Sequence, residues 1–168
     1  MMNATLAGVA ILALVTLQRL AELSLASRNS RRLLGQGADE HGASHYPLVV
    51  ALHALWLAAL WWWAPGRPVN VALLSIFLIL QVGRLWVIGT LGDRWTTRII
   101  VKPGVPLVRR GPYRFMNHPN YLIVVLEIAV LPLVFGLWQL ALLFSLLNAA
   151  VLAIRNGEEN RALASLRS

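Results

Sequence analysis

Long apolar runs separated by short polar, glycine- and proline-bearing stretches set the pattern of this chain. The runs cover about residues 4–26, 46–64, 69–91, 119–135 and 137–154. A helix rises 1.5 Å per residue, so about 20 apolar residues cross a hydrocarbon core of ~30 Å. The pattern predicts an all-α integral-membrane bundle of five transmembrane helices, a single domain over residues 1–168. A long loop and a C-terminal helix extend it over about 92–168. The fourth run is short because Gly136 ends it, so its helix is expected to begin inside the polar stretch before it. The fourth and fifth runs read as a helical hairpin.

Polar residues inside the runs need partners. Arg19 and Glu22 stand three apart on one helical face. They read either as an interfacial ion pair on a snorkelling helix end or as a polar group turned towards a cavity. His53 has no second ligand at metal spacing, so it reads as a hydrogen-bonded interior histidine. Arg84 is expected to face the bundle or snorkel. Glu127 is expected to pair with Arg84 or with an arginine of the polar stretch before its helix, Arg110 or Arg114. Trp61, Trp62 and Trp63 read as an aromatic belt, followed by a tight turn at Pro65–Pro68. Residues 27–45 read as a polar connection, and Thr96–Val101 as a short extended piece. Gly35-Gln-Gly37 has no strand before it and glutamate at position 40, which excludes a dinucleotide fingerprint.

Composition agrees with a membrane protein: 58% of residues are apolar, 13% are charged, and mean hydropathy is +0.64. With no cysteine, disulfides, thiolate nucleophiles and cysteine zinc sites are excluded. The net charge of +8 lies in the loops, which fits an anionic membrane surface and not nucleic acid. No cleavable signal peptide is evident, because no basic residue precedes the first run. Residues 27–45, 92–118 and the tail carry twelve basic residues, and the opposite side carries only Arg67. This asymmetry predicts a multi-pass protein of the cell membrane with the N-terminus outside and these loops in the cytoplasm.

The densest polar chemistry lies in Arg110-Gly-Pro-Tyr-Arg-Phe-Met-Asn-His-Pro-Asn-Tyr121. Its two X-Pro steps bias the backbone away from helix. Polar irregular backbone beside a bilayer is tolerated where it lines a wet cavity, so the stretch reads as the wall of a binding site. The plainer reading is an ordinary cytoplasmic loop. In the amphipathic tail, Arg155 and Glu159 stand one helical turn apart, in the weaker order for an ion pair and with Gly157 between them. Helix stability is a poor reason for that arrangement, which favours a site role.

Gly111-Pro-Tyr-Arg-Phe-Met-Asn-His-Pro-Asn-Tyr121, the following hairpin and Arg155-x-x-x-Glu159 together resemble the isoprenylcysteine carboxyl methyltransferase family. The likeness covers roughly the last 75 residues. Arg19-Leu-Ala-Glu22, Ser27-Arg-Asn29, His45-Tyr-Pro47 and Leu91-Gly-Asp-Arg-Trp95 look like a bacterial branch that O-methylates alkylpyrones or alkylresorcinols. The resemblance implies an enzyme using S-adenosyl-L-methionine, releasing S-adenosyl-L-homocysteine, and needing no metal. It implies a cytosolic cofactor-binding loop, with Gly111, Tyr113, Arg114, His118, Asn120, Tyr121 and Glu159 as cofactor-binding residues. Arg155, Glu159 and His118 are the implied catalytic residues. The implied acceptor is a lipophilic molecule reaching the site from the bilayer. A lipidated cysteine carboxylate or a phospholipid amine is the alternative acceptor. A non-catalytic transporter or assembly protein is the competing reading, against which no internal repeat is visible. Two departures stand out: Asn117 replaces the family's arginine before His118-Pro119, and Asn160 takes the place of its second acid.

Overall fold

The computed structural model describes residues 2–167. Five helices run alternately up and down: α1 Met2–Gly35, α2 Tyr46–Trp63, α3 Val71–Leu91, α4 Pro119–Val134 and α5 Trp138–Arg167. A two-stranded antiparallel ribbon, β1 Asp39–His41 with β2 Ile99–Val101, joins the loops at one end. The side chain of Asn160 and those beyond Ala162, Arg167 among them, lie outside the described residues.

Local chemistry sets the helix ends. Asn70 caps α3 by accepting the Leu73 N–H at 3.1 Å. Pro119 occupies the first turn of α4, where its missing N–H costs nothing. At the other end of α4, Gly136 takes a positive φ of 68°. The Leu137 and Gly136 amides then bond the Pro132 and Leu133 carbonyls, both at 3.0 Å, and close the helix.

Four helices, α1, α2, α3 and α5, are long and apolar enough to cross a membrane. The fifth, α4, has 16 residues and is about 24 Å long, short of a full crossing. It is also much buried, through Ile123, Val124, Glu127, Ile128, Leu131 and Val134. It begins inside the polar motif, as its length required. The main core joins Leu12 and Val15 of α1, Trp56 and Leu60 of α2, Phe77 of α3, Ile128 and Leu131 of α4, and Phe144 of α5.

Two expectations need correction. Residues 27–35 are not part of a loose connection but the last turns of α1. Ala26, Asn29, Ser30 and Leu33 form a buried face at helical spacing, and the Asn29 amide donates to the carbonyls of Gly92 and Trp95 at 3.1 and 2.9 Å. Arg19 and Glu22, read as a possible interfacial pair, sit instead in an ionic network between helices. Arg84 donates to both Glu22 oxygens at 2.7 and 2.6 Å and to Glu127 at 2.9 Å, and Arg19 reaches Glu22 at 3.0 Å and Glu127 at 2.9 Å. Arg84 is thus the partner Glu127 needed. His53 is an interior histidine, its Nδ1 2.8 Å from the Val49 carbonyl.

Both ends of the bundle are fixed by contacts. At the far end the Asn70 amide bonds the Val134 carbonyl at 2.8 Å, and Gly8 packs near Ala64 and Phe135. At the basic end the ribbon, the 92–118 loop and the last turns of α5 come together. Ile99 and Val101 pack on Ala162 there.

Candidate functional site

The loop 92–118 is anchored by its one large buried aromatic. Trp95, 2% exposed, packs with Ala26 of α1, Val87 of α3 and Ile123 of α4. From that anchor β2 crosses to α5, and the chain returns to the end of α3. There it makes a short 3₁₀ turn, Gly111–Arg114. Gly111 is required for this return. Its φ is +56°, and a Cβ would lie 2.5 Å from the Thr90 hydroxyl.

Between the loop, the start of α4 and the last turns of α5 lies a cavity of about 820 Å³. Tyr113, Arg114, His118, Asn120, Tyr121, Arg155 and Glu159 all line it. Two polar segments about 40 residues apart in sequence therefore share one wall. Gly111 is not among the lining residues; it shapes the turn from behind.

Tyr121 is the hub. Its hydroxyl donates to a Glu159 oxygen and accepts from Arg155 Nε at 2.9 Å. Arg155 also donates to the Thr97 carbonyl at 2.8 Å, which ties α5 to the loop. Its guanidinium carbon stands 5.6 Å from the centre of the Tyr121 ring. His118 stacks on that ring, with centroids 5.0 Å apart and planes 8° from parallel. Its Nδ1 is 3.7 Å from Glu159, close enough for attraction when protonated but long for a hydrogen bond. Burial first, and then the Glu159 charge, push the Tyr113 phenol up to about 12.

Two buried polar atoms on the cavity residues have no partner in the protein: the side-chain oxygen of Asn120 and the indole N–H of Trp95. Such atoms are costly to bury unless something binds them. Charge is one-sided as well. Arg94, Arg98, Lys102, Arg109, Arg114 and Arg155 line the cavity, against the carboxylate of Glu159 alone among the described residues. Arg98, Lys102 and Arg109 lie outside the motifs, and Arg94 and Trp95 lie in Leu91–Trp95, a segment whose resemblance carried no site role. The charge of the arginines and Lys102 read as membrane-surface charge, and the packing of β2 on α5 brings them to the cavity wall, where Arg98 also pairs with Glu40 and Lys102 donates to Gln36. Glu158, one residue before Glu159, pairs outward with Arg161 at 2.8 Å.

The isoprenylcysteine carboxyl methyltransferase family model matches residues 72–165, which include the whole cavity segment from Arg94 to Glu159. The chain is 36% identical over 166 residues to YpbQ of Bacillus subtilis (strain 168), an uncharacterized protein. That match covers 91% of this chain and 94% of YpbQ. An uncharacterized protein of Haemophilus influenzae is 27% identical over 157 residues, covering 88% of this chain and 90% of its own. No solved structure matches.

Proposed function

This chain belongs to the isoprenylcysteine carboxyl methyltransferase family, and from that premise we propose an S-adenosyl-L-methionine-dependent O-methyltransferase acting on a lipophilic acceptor within the membrane. The observation that carries this reading is the cavity in which Tyr121 joins Arg155 to Glu159 beside His118.

The residues fit the cofactor. Its ammonium and ribose hydroxyls are donors, and Glu159 and the unpartnered Asn120 oxygen are acceptors. Its carboxylate suits Arg114 and the Trp95 N–H, and its adenine suits the face of Tyr113. Bound there, the cofactor supplies an electrophilic methyl group on a sulfonium. Arg155, held by Tyr121 and the Thr97 carbonyl, orients the acceptor oxygen and stabilises it as an anion. The excess of cations over carboxylates supports an acceptor that arrives ionised, a carboxylate or an acidic enol. A phenol would have to lose its proton at the site, and His118 and Glu159 are the bases within the cavity. The four long apolar helices support placing this chemistry in a bilayer, where an alkyl-tailed acceptor is already concentrated.

The test is calorimetry with S-adenosyl-L-homocysteine on purified protein. Glu159→Ala and His118→Ala are expected to weaken binding at least tenfold, the loss of about one charge-assisted contact. Unchanged affinity in both variants would remove the assignment. Failure of the unmutated protein to bind would return it to the non-catalytic reading. Labelled cofactor offered with alkylpyrones, alkylresorcinols and prenylcysteines then identifies the acceptor.

A further inference from the structure

The turn between β2 and α4 changes sides from residue to residue. Tyr113, Arg114, Asn117 and His118 line the cavity, while Phe115 and Met116 between them do not. Phe115 is 75% exposed and Met116 is 42% exposed. Two adjacent large apolar side chains this bare at a turn form a patch that calls for cover.

Placement and charge say what covers it. The turn is pinned at the ends of two helices: Arg110 donates to the Thr90 carbonyl at 3.4 Å, Gly111 packs on Thr90, and α4 starts at Pro119. Both helices carry outward apolar side chains up to this level. Trp86 is exposed one turn before Thr90, and Leu122 is exposed one turn into α4. Phe115 and Met116 therefore extend the lipid-facing surface of α3 and α4 beyond the helix ends. Arg109, Arg110 and Arg114 frame them, all exposed. Arg109 and Arg114 have no ion pair or side-chain hydrogen bond among the described residues. An apolar pair framed by free cations suits the headgroup layer of an anionic membrane.

We propose that Phe115 and Met116 are seated at the acyl boundary of an anionic leaflet, with Arg109 and Arg110 on its phosphates. The same turn then faces bilayer on one side and cavity on the other. This inference needs the helices to cross a membrane but does not rest on the methyltransferase reading.

The absence of cysteine gives a direct test. Phe115→Cys and Met116→Cys each provide a single attachment point for a nitroxide spin label, and Leu122→Cys provides a lipid-facing reference. Each labelled protein is placed in equimolar phosphatidylcholine–phosphatidylglycerol vesicles and relaxed with oxygen or with a water-soluble nickel chelate. Residues 115 and 116 are expected to favour oxygen, with the sign of the reference. A preference for nickel at both positions would overturn the seating. The depth is expected to shrink in pure phosphatidylcholine and in the Arg110→Gln background. Equal depth under all three conditions would overturn the anionic partner. Calorimetry with S-adenosyl-L-homocysteine on the same samples reports on the cavity separately, so loss of either result leaves the other readable.

Discussion

Tyr121 does three things with one side chain: it stacks on His118, accepts from Arg155 and donates to Glu159. Such convergence is possible because His118 and Tyr121 are three apart across the first turn of α4, so their rings lie over one another. Tyr113 has a simpler environment, and its titration is a test of it. Its folded phenol sits near 12 against 10.0 for a free tyrosine. Between those values the unfolded chain loses the proton first, so its contribution to stability is intact below pH 10 and declines towards pH 12. Chemical denaturation across that range is expected to show the decline, and Tyr113→Phe is expected to make it shallower. Gly111 can be tested by steric means. Gly111→Ala combines a positive φ with contact on Thr90, and about 1–3 kcal/mol of stability is expected to go. Thermal unfolding in detergent reads it. A melting temperature equal to that of the unmutated protein would show that the turn relaxes freely.

Elements here are joined by charge as much as by packing. Glu22, Arg84, Glu127 and Arg19 bind α1, α3 and α4 at one level, with Gln18 and Gln81 completing the set. Glu127 is 2% exposed. Its removal leaves Arg84 and Arg19 to share Glu22 as their one carboxylate in this network, and breaking such a buried network from one side costs about 3–5 kcal/mol. Glu127→Ala is therefore expected to yield little folded protein in detergent, and Glu127→Gln, which keeps a hydrogen-bond acceptor, distinctly more. If both behave like Glu158→Ala, whose side chain only pairs outward with Arg161, the network does not hold the bundle. The network also gives α4 a reason to stay inside despite its length. Its polar residue has its partners on α1 and α3 and none in lipid.

At the scale of the whole molecule the two ends differ in kind. The far end is tight turns between helices and carries Arg67 as its loop cation, while the basic end carries the ribbon, the cavity and the arginines. The asymmetry of basic residues predicts that the cavity end is cytoplasmic. With Arg67→Cys and Pro103→Cys, a membrane-impermeant maleimide applied to intact cells is expected to label position 67. Position 103 is expected to react only after lysis. The reverse result would invert the molecule and place the cavity outside.

Hydropathy alone determined the helical runs, within a few residues for α2, α3 and α4, because in a bilayer apolar length and backbone satisfaction leave little choice. The motif segment and the Arg155–Glu159 pair were legible too, as polar groups that local helix stability did not explain. Tertiary structure decided the rest. The last turns of α1 are helical because Asn29 finds carbonyls more than 60 residues away. In the β1–β2 ribbon, β2 lies within Thr96–Val101, which read as extended, while β1 carries no strand signal of its own and forms by pairing with it. Trp95, Thr96 and the loop arginines line the cavity only because α5 runs past them. Those contacts depend on which surfaces meet, and no local window of sequence contains both partners.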